Sequence, residues 1–583
     1  MGGAAGGGGS LGGAAGKSSK DGGTTDGANL DLSGITPPAM LTVSIKDRRA
    51  TLFELVWTAP LVNGQPATGY QVRYAKVPIT AANFDDTTVT TAVPYSSTPA
   101  QPGNTDGTTV KLYIENSYYF AIQGTNSTGG GTIDGTTTAA VAHFNETSLA
   151  GMGPTSELFG SVLDGSADLN GDALSDVLVG STAGQHAYIF FGTRGNFAPT
   201  TPSVVFAGDS TTTAFGRGLG VIGDIDGDGK DDIAISDFSG TPPRMFIYKG
   251  RSSWPMTPLG PSDADYVITA DTTYNESAFG ISIARLGDFN GDGKDDFAFA
   301  AQQYKNGTNN VGRVVIVLGK QGFANITLPD TTNTITIDGD STLTNPIFGA
   351  RVLGLGRFYS VTSGSTLIVS SPGLASSANS SQGRLYAFHG QPGSAGAIAL
   401  SSADNMVLGP TAGSDIGNVL TNLGPMFGTA NAVASGNPAD TTSSTGVSGS
   451  AFLFKGDMNG PFGTPVILER VGATKSGQVI IGGGISGVDA SYSLVGDSKP
   501  DLVFIPQTTT SIQIVDGNAI AALPAAIIDP TNQAPVTVPE PPGWGSTGPQ
   551  EGTLIPDLNG DGYPDFAIAN ALSGNAGAVA VYW

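Results

Sequence analysis

From about residue 140 to its end the chain repeats itself, and this limits its folding more than any other feature. The repeat opens on an aromatic–glycine pair, Phe159-Gly160, Phe215-Gly216 and Phe279-Gly280, and nine residues after each phenylalanine stands an aspartate, Asp168, Asp224 or Asp288. Weaker openings occur at Phe348-Gly349, Ile416-Gly417, near Gly477 and at Trp544-Gly545, spaced 56 to 69 residues apart. Third apolar runs also recur seven times, at Tyr188–Phe191, Met245–Tyr248, Val314–Leu318, Leu385–Phe388, Ala451–Phe454, Ser511–Val515 and Val579–Trp583. A unit of this length is one supersecondary piece that buries its apolar faces only against its neighbours. The expectation is an all-β fold in which residues 136–583 close as a seven-bladed β-propeller of four-stranded units.

Six units are followed by a further strand-like run: Ser203–Ala207, Tyr266–Ala270, Thr334–Ile337, Met406–Leu408, Val466–Arg470 and Ala525–Ile528. The seventh stops at Trp583, and the otherwise unassigned run Ala139–Phe144 is expected to complete it, removing an exposed edge.

Composition narrows the function classes. Charged residues are 13% of the chain, against ~25% in typical domains. Of 583 residues 86 are glycine, and 39% are hydrophobic, which suits short strands and turns rather than disorder. The formal charge of −23 argues against nucleic acid, whose phosphates need clustered cations, and against docking on anionic membranes. Without cysteine there are no disulfides, thiolate zinc sites or cysteine nucleophiles, which leaves bound calcium as a staple. The histidines are His143, His186 and His389; the last two are read as structural residues beginning equivalent third strands. No apolar run is long enough to span a bilayer as a helix.

Residues 1–35 read as a flexible Gly/Ala/Ser-rich tether without the charged and apolar regions of an intact signal peptide. It is expected to sit behind a removed export or lipidation signal, with a lipid anchor as one form of display. Residues 36–135 carry strand-like runs at Leu52–Trp57, Tyr70–Tyr74, Val110–Ile114 and Tyr118–Gln123. Pro37-Pro38, Trp57 and the six-residue spacing from Leu112 to Tyr118 resemble a fibronectin type III domain, which implies a β-sandwich that acts as a spacer or adhesion module.

Four units carry an acidic loop with oxygen side chains at positions 1, 3, 5 and 9. Hard oxygen donors on one tight turn favour Ca²⁺ over zinc or copper. Position 12 (Val179, Ile235, Phe299 or Ile568) is apolar, where an EF-hand needs a bidentate glutamate, so a strand–loop–strand hairpin is expected. Together these features resemble the FG-GAP repeats of the integrin α-subunit propeller. The resemblance implies Ca²⁺ held by those side chains and the position-7 carbonyl, on the face opposite to the one that binds ligands. Carried over, the ligands are Asp168, Asn170, Asp172, the Leu174 carbonyl and Asp176 in the first loop. The second has Asp224, Asp226, Asp228, the Lys230 carbonyl and Asp232; the third has Asp288, Asn290, Asp292, the Lys294 carbonyl and Asp296. The fourth has Asp557, Asn559, Asp561, the Tyr563 carbonyl and Asp565. Ala173 replaces the turn glycine of the first loop, and the sixth unit keeps only Asp497–Asp501, so four ions are expected.

The resulting expectation is an extracellular or cell-surface, calcium-binding adhesion or recognition protein, not an enzyme, with a protein or glycan partner. An outer-membrane lipoprotein is one form of that surface location; a structural part of a cell-envelope assembly is the alternative function, and a propeller-based glycan or lipid hydrolase ranks below both. The variable stretches Gln302–Gly312, Pro372–Gly383 and Gly436–Gly449 are candidate contact loops, with Tyr274 and Tyr304 as candidates for ligand stacking. The tripeptide Lys455-Gly456-Asp457 matches an integrin-binding motif but falls at a strand end common to all units, where a plain turn is expected.

Overall fold

The computed structural model describes residues 41–583 apart from 48–51 and a set of short internal segments. Outside the described residues lie the 1–35 tether, Gly477, Asp497, Gly545, Asp457 and the segments 374–381 and 438–449.

The N-terminal part is a sandwich of two antiparallel sheets. One has three strands in the order Thr42–Asp47, Leu52–Thr58, Thr105–Lys111. The other has four, in the order Thr91–Val93, Gly69–Ala75, Tyr119–Asn126, Gly129–Gly135. Alternation sets the packing: Phe53, Leu55 and Trp57 turn inward from one sheet to meet Val72, Phe120 and Ile122 of the other. Phe53 packs its ring 5.6 Å from Phe120 and edge-on to Tyr118. The strand expected at Val110–Ile114 starts earlier, because the threonine-rich run from Thr105 pairs with Leu52–Thr58 along its whole length.

From residue 146 onward seven sheets recur among the described residues, each with four antiparallel strands, and three of them gain a fifth, parallel strand. The first three are built from Phe159–Ala167, Asp176–Ser181, His186–Phe190 and Val204–Ala207; from Phe215–Gly223, Asp232–Asp237, Arg244–Tyr248 and Tyr266–Thr269; and from Phe279–Gly287, Asp296–Ala301, Arg313–Val317 and Thr334–Asp338. The fourth runs Val352–Gly354, Thr366–Ser371, Arg384–His389, Asn405–Leu408, and the fifth Val419–Gly424, Ala432–Asn437, Ser450–Phe454, Val466–Leu468. The sixth is Gln478–Gly482, Leu502–Pro506, Ser511–Val515, Val536–Pro539. The seventh is Glu551–Ile555, Asp565–Asn570, Ala578–Tyr582 and, from far upstream, Glu146–Leu149.

Each sheet's first strand packs on the first strand of the next, and the seventh packs on the first, so the sheets form a closed ring. Their apolar faces meet between sheets; Met245 and Ile247 of the second, for example, join Phe279, Phe297 and Phe299 of the third. Full burial of such a side chain contributes roughly 1.5–3 kcal/mol. The aromatic–glycine pair sets this contact. Gly216 lies at φ 81°, and a Cβ there would come 2.4 Å from the His186 carbonyl oxygen of the neighbouring sheet. A central cavity of about 190 Å³ is lined by the first strands, among them Asp164, Arg285, Thr421 and Thr553.

Two expected strands fall elsewhere. The ring is closed by Glu146–Leu149, paired with Val579–Tyr582, and not by Ala139–Phe144. Ala140 instead exchanges main-chain hydrogen bonds with Tyr118, and the Ala142 carbonyl accepts from Glu115 N–H, so the sandwich claims that stretch. Asn145 and Trp583 then pair reciprocally at 2.8 and 2.9 Å. Likewise, the fourth strand of the sixth sheet is Val536–Pro539, whose valines point inward and Thr537 outward, and not Ala525–Ile528. Ile527–Ile528 runs parallel along the fifth sheet's outer strand. Ile326–Thr327 and Gly396–Ile398 do the same for the second and third sheets. Each comes from the next sheet's connection between third and fourth strands, and covers an edge that would otherwise stay unpaired.

Candidate metal centre

In all four acidic loops the turn leaves the first strand and position 9 is the first residue of the second strand, at Asp176, Asp232, Asp296 and Asp565. Position 12 lies within that strand, and no helix flanks any of the loops.

The side chains are held by the loop's own backbone. Asp168 accepts from the N–H groups of Gly171 (2.6 Å), Asp172 (3.2 Å) and Ala173 (2.7 Å). Asn170 accepts from Asp172 N–H at 2.9 Å, and Asp172 from Leu174 N–H at 2.9 Å. Asp176 accepts from Leu169 N–H at 2.7 Å and from Gly192 N–H, beyond the third strand, at 3.0 Å. The same pattern holds Asp224, Asp226, Asp228 and Asp232. It recurs at Asp288, Asn290, Asp292 and Asp296. In the fourth loop Asp557 accepts from Gly560 and Gly562, Asn559 from Asp561, Asp561 from Tyr563 and Asp565 from Leu558. N–H donors to a carboxylate fix its rotamer and tilt its remaining lone pairs toward one point.

In the second loop, oxygens of Asp224, Asp226 and Asp232 lie within 4.8 Å of one another. The position-9 carboxylates are fully buried. Burial pushes Asp176 and Asp296 up to about 7 and Asp232 up to about 8, and the neighbouring loop carboxylates add to the rise. A buried acid crowded by other acids, with no apolar alternative, is a donor set suited to a hard divalent cation. The all-oxygen ligands fit Ca²⁺ at ~2.3–2.6 Å.

The structure also brings in residues that loop spacing did not point to. Lys249 Nζ lies 2.6 Å from Asp226 and 3.0 Å from Asp228, and Tyr266 donates to Asp226 at 3.1 Å. Arg285 joins Asp231 of the second loop (3.0 Å) to Asp295 of the third (2.6 Å). The loops are also tied to the following sheet: Leu169, Ile225 and Asn290 carbonyls accept from Arg251, Lys320 and Gly393, and the Leu558 and Asn559 carbonyls from Thr193 and Gly195. The loops therefore connect the seventh, first, second, third and fourth sheets in succession.

Several sequence expectations about other residues change. Tyr274 and Tyr304 are 1% and 8% exposed, pack on each other 5.0 Å apart and receive Arg313 3.8 Å above the Tyr304 ring, so they are interior residues and not stacking platforms. His186 begins its strand, whereas His389 ends one, five residues after Arg384, which opens that strand. Lys455 covers the Phe427 ring, and a Cβ at Gly456 would meet the Asn431 carbonyl, while Asp457 lies outside the described residues. In the sixth sheet Asp501 keeps the position-9 role, accepting from Gly517 N–H at 3.0 Å.

Models of the FG-GAP repeat match residues 279–317 and 551–582, and an FG-GAP-like repeat model matches 168–235. These three stretches are similar to FG-GAP repeats. It is 32% identical over 178 residues to integrin alpha-4 of Xenopus laevis, covering 29% of this chain and 16% of that one. It is 37% identical over 103 residues to integrin alpha-3 of Cricetulus griseus (16% and 10%). Over 157 residues it is 32% identical to integrin alpha-PS3 of Drosophila melanogaster (25% and 13%). The chain thus spans at most about a sixth of the length of these relatives. FG-GAP repeats imply a β-propeller, and the all-β ring of sheets agrees with an integrin-like one. No helix among the described residues is long and apolar enough to cross a membrane.

Proposed function

We propose that the chain is a calcium-stiffened adhesion or recognition protein of the cell surface or extracellular space. In this reading a seven-bladed FG-GAP propeller follows a fibronectin type III-like spacer and binds an extracellular protein or glycan. The observation that carries it is the recurrence of one hydrogen-bonded carboxylate cradle in four successive sheets around the ring closure. Positions 1, 3, 5 and 9 of each loop, with the carbonyls of Leu174, Lys230, Lys294 and Tyr563, would hold one Ca²⁺. Bound calcium supplies positive charge that relieves the buried carboxylates, and the tethered loops transmit that rigidity to the following sheet. The contact surface lies on the opposite end of the ring, where the connections between second and third strands emerge. Display through the N-terminal tether, with or without a lipid anchor, is consistent with the surface chemistry. Four calcium ions per chain by elemental analysis, and calcium-dependent binding to extracellular matrix that EGTA abolishes, are the expected results. Metal-free protein with unchanged binding would overturn the assignment.

A further inference from the structure

The second loop differs from the other three in charge. Position 3 is an amide in Asn170, Asn290 and Asn559, and its Nδ2 donates to the position-5 carboxylate at 3.1, 3.0 and 3.1 Å. In the second loop Asp226 occupies that place and cannot donate. The donor is supplied from elsewhere. Lys249, one residue beyond the third strand, reaches over to the Oδ2 atoms of both Asp226 and Asp228. The residues at the equivalent point beyond the other three strands are Phe191, Leu318 and Trp583, none of which has a cationic side chain. The extra aspartate and the extra ammonium balance formally, so the second loop with Lys249 has the same net charge as each of the others.

Balanced charge is not an equal site. The Oδ1 atoms of Asp226 and Asp228 accept main-chain N–H groups, and the Oδ2 atoms face Lys249, that of Asp226 also accepting from Tyr266. An ammonium fixed there by two carboxylates repels an arriving dication and competes with it for the same lone pairs. We propose that Lys249 is a resident counter-ion that sets the second loop apart as a weaker, later-filling cation site than the other three. This rests on the calcium reading above.

Titration of the full chain with Ca²⁺ by calorimetry tests it. The wild type is expected to show three sites of like affinity and a fourth that is weaker. Lys249→Met should tighten the fourth by on the order of tenfold. The double variant Asp226→Asn, Lys249→Met reproduces the residue pattern of the other loops and should show four equivalent sites. Asp226→Asn alone, which leaves the ammonium with one carboxylate fewer to balance it, should weaken the fourth site further. Thermal melting of each variant without calcium checks that it folds. Four equivalent sites in the wild type, or a fourth site unmoved by Lys249→Met in a folded protein, would overturn the role of Lys249 while leaving the calcium reading intact. No calorimetric binding in any variant would overturn both.

Discussion

Ala173 adopts φ 67° where Gly229, Gly293 and Gly562 of the other loops lie at 81–89°. The equivalent glycines Gly229, Gly293 and Gly562 face open space, so the strain at Ala173 is in its backbone alone. Ala173→Gly should therefore stabilise the protein by about 1 kcal/mol in denaturant titration. Gly216 is the opposite case, since both its φ and its contact with the His186 carbonyl exclude a side chain. Gly216→Ala should destabilise by about 2 kcal/mol or more, and a near-neutral result would mean the two sheets separate easily. Glu540 shows the effect of burial on titration. Its Oε1 is buried with no hydrogen-bond partner among the described residues, and burial raises its carboxyl to about 7. A carboxyl whose folded value lies above its unfolded one stabilises only while protonated, so this contribution is present below pH ~4.5 and lost as pH rises through 7. Glu540→Gln should raise the melting temperature at pH 8 and leave it nearly unchanged at pH 4.

At the scale of elements, the ring depends on a strand contributed from upstream. Glu146–Leu149 is held by four backbone pairs, and Trp583 adds both its main-chain pair with Asn145 and an indole bond of 2.8 Å to Thr147 Oγ1. Thr147 in turn donates to the Phe197 carbonyl of the first sheet, so one threonine joins the last sheet to the first. Trp583→Ala should cost roughly 3–5 kcal/mol and open residues 139–150 to limited proteolysis. Protection equal to wild type would show that the backbone pairs alone close the ring. The acidic loops and the aromatic–glycine pairs were legible because each is a short local pattern whose geometry is set within a dozen residues. The strand at Ala139–Phe144 was misplaced because its apolar run fits either an outer strand or a linker. Only the competing pairing of Ala140 with Tyr118 decides between them.

For the whole molecule, charge and connectivity act together. Four Ca²⁺ would bring the formal charge from −23 to about −15, which reduces self-repulsion across a chain with few cations. Chelation with EGTA should lower the melting temperature, with the size of the shift rising with the free calcium it removes. Because the loops tie the seventh through fourth sheets in succession, added calcium should slow hydrogen exchange most there and least in the fifth and sixth. Uniform protection around the ring, or none, would count against local stiffening.

The repeat, its strand period and the four oxygen-rich loops are legible in the amino-acid chain alone, since these depend on neighbours a few residues away. The tertiary structure alone decided which strand closes the ring, that Tyr274 and Tyr304 face inward under Arg313, and that Lys249 sits on the second loop. Those are contacts between segments far apart in the chain, or between side chains of different sheets. Which of them forms depends on how the packed sheets compete for the same edges and charges.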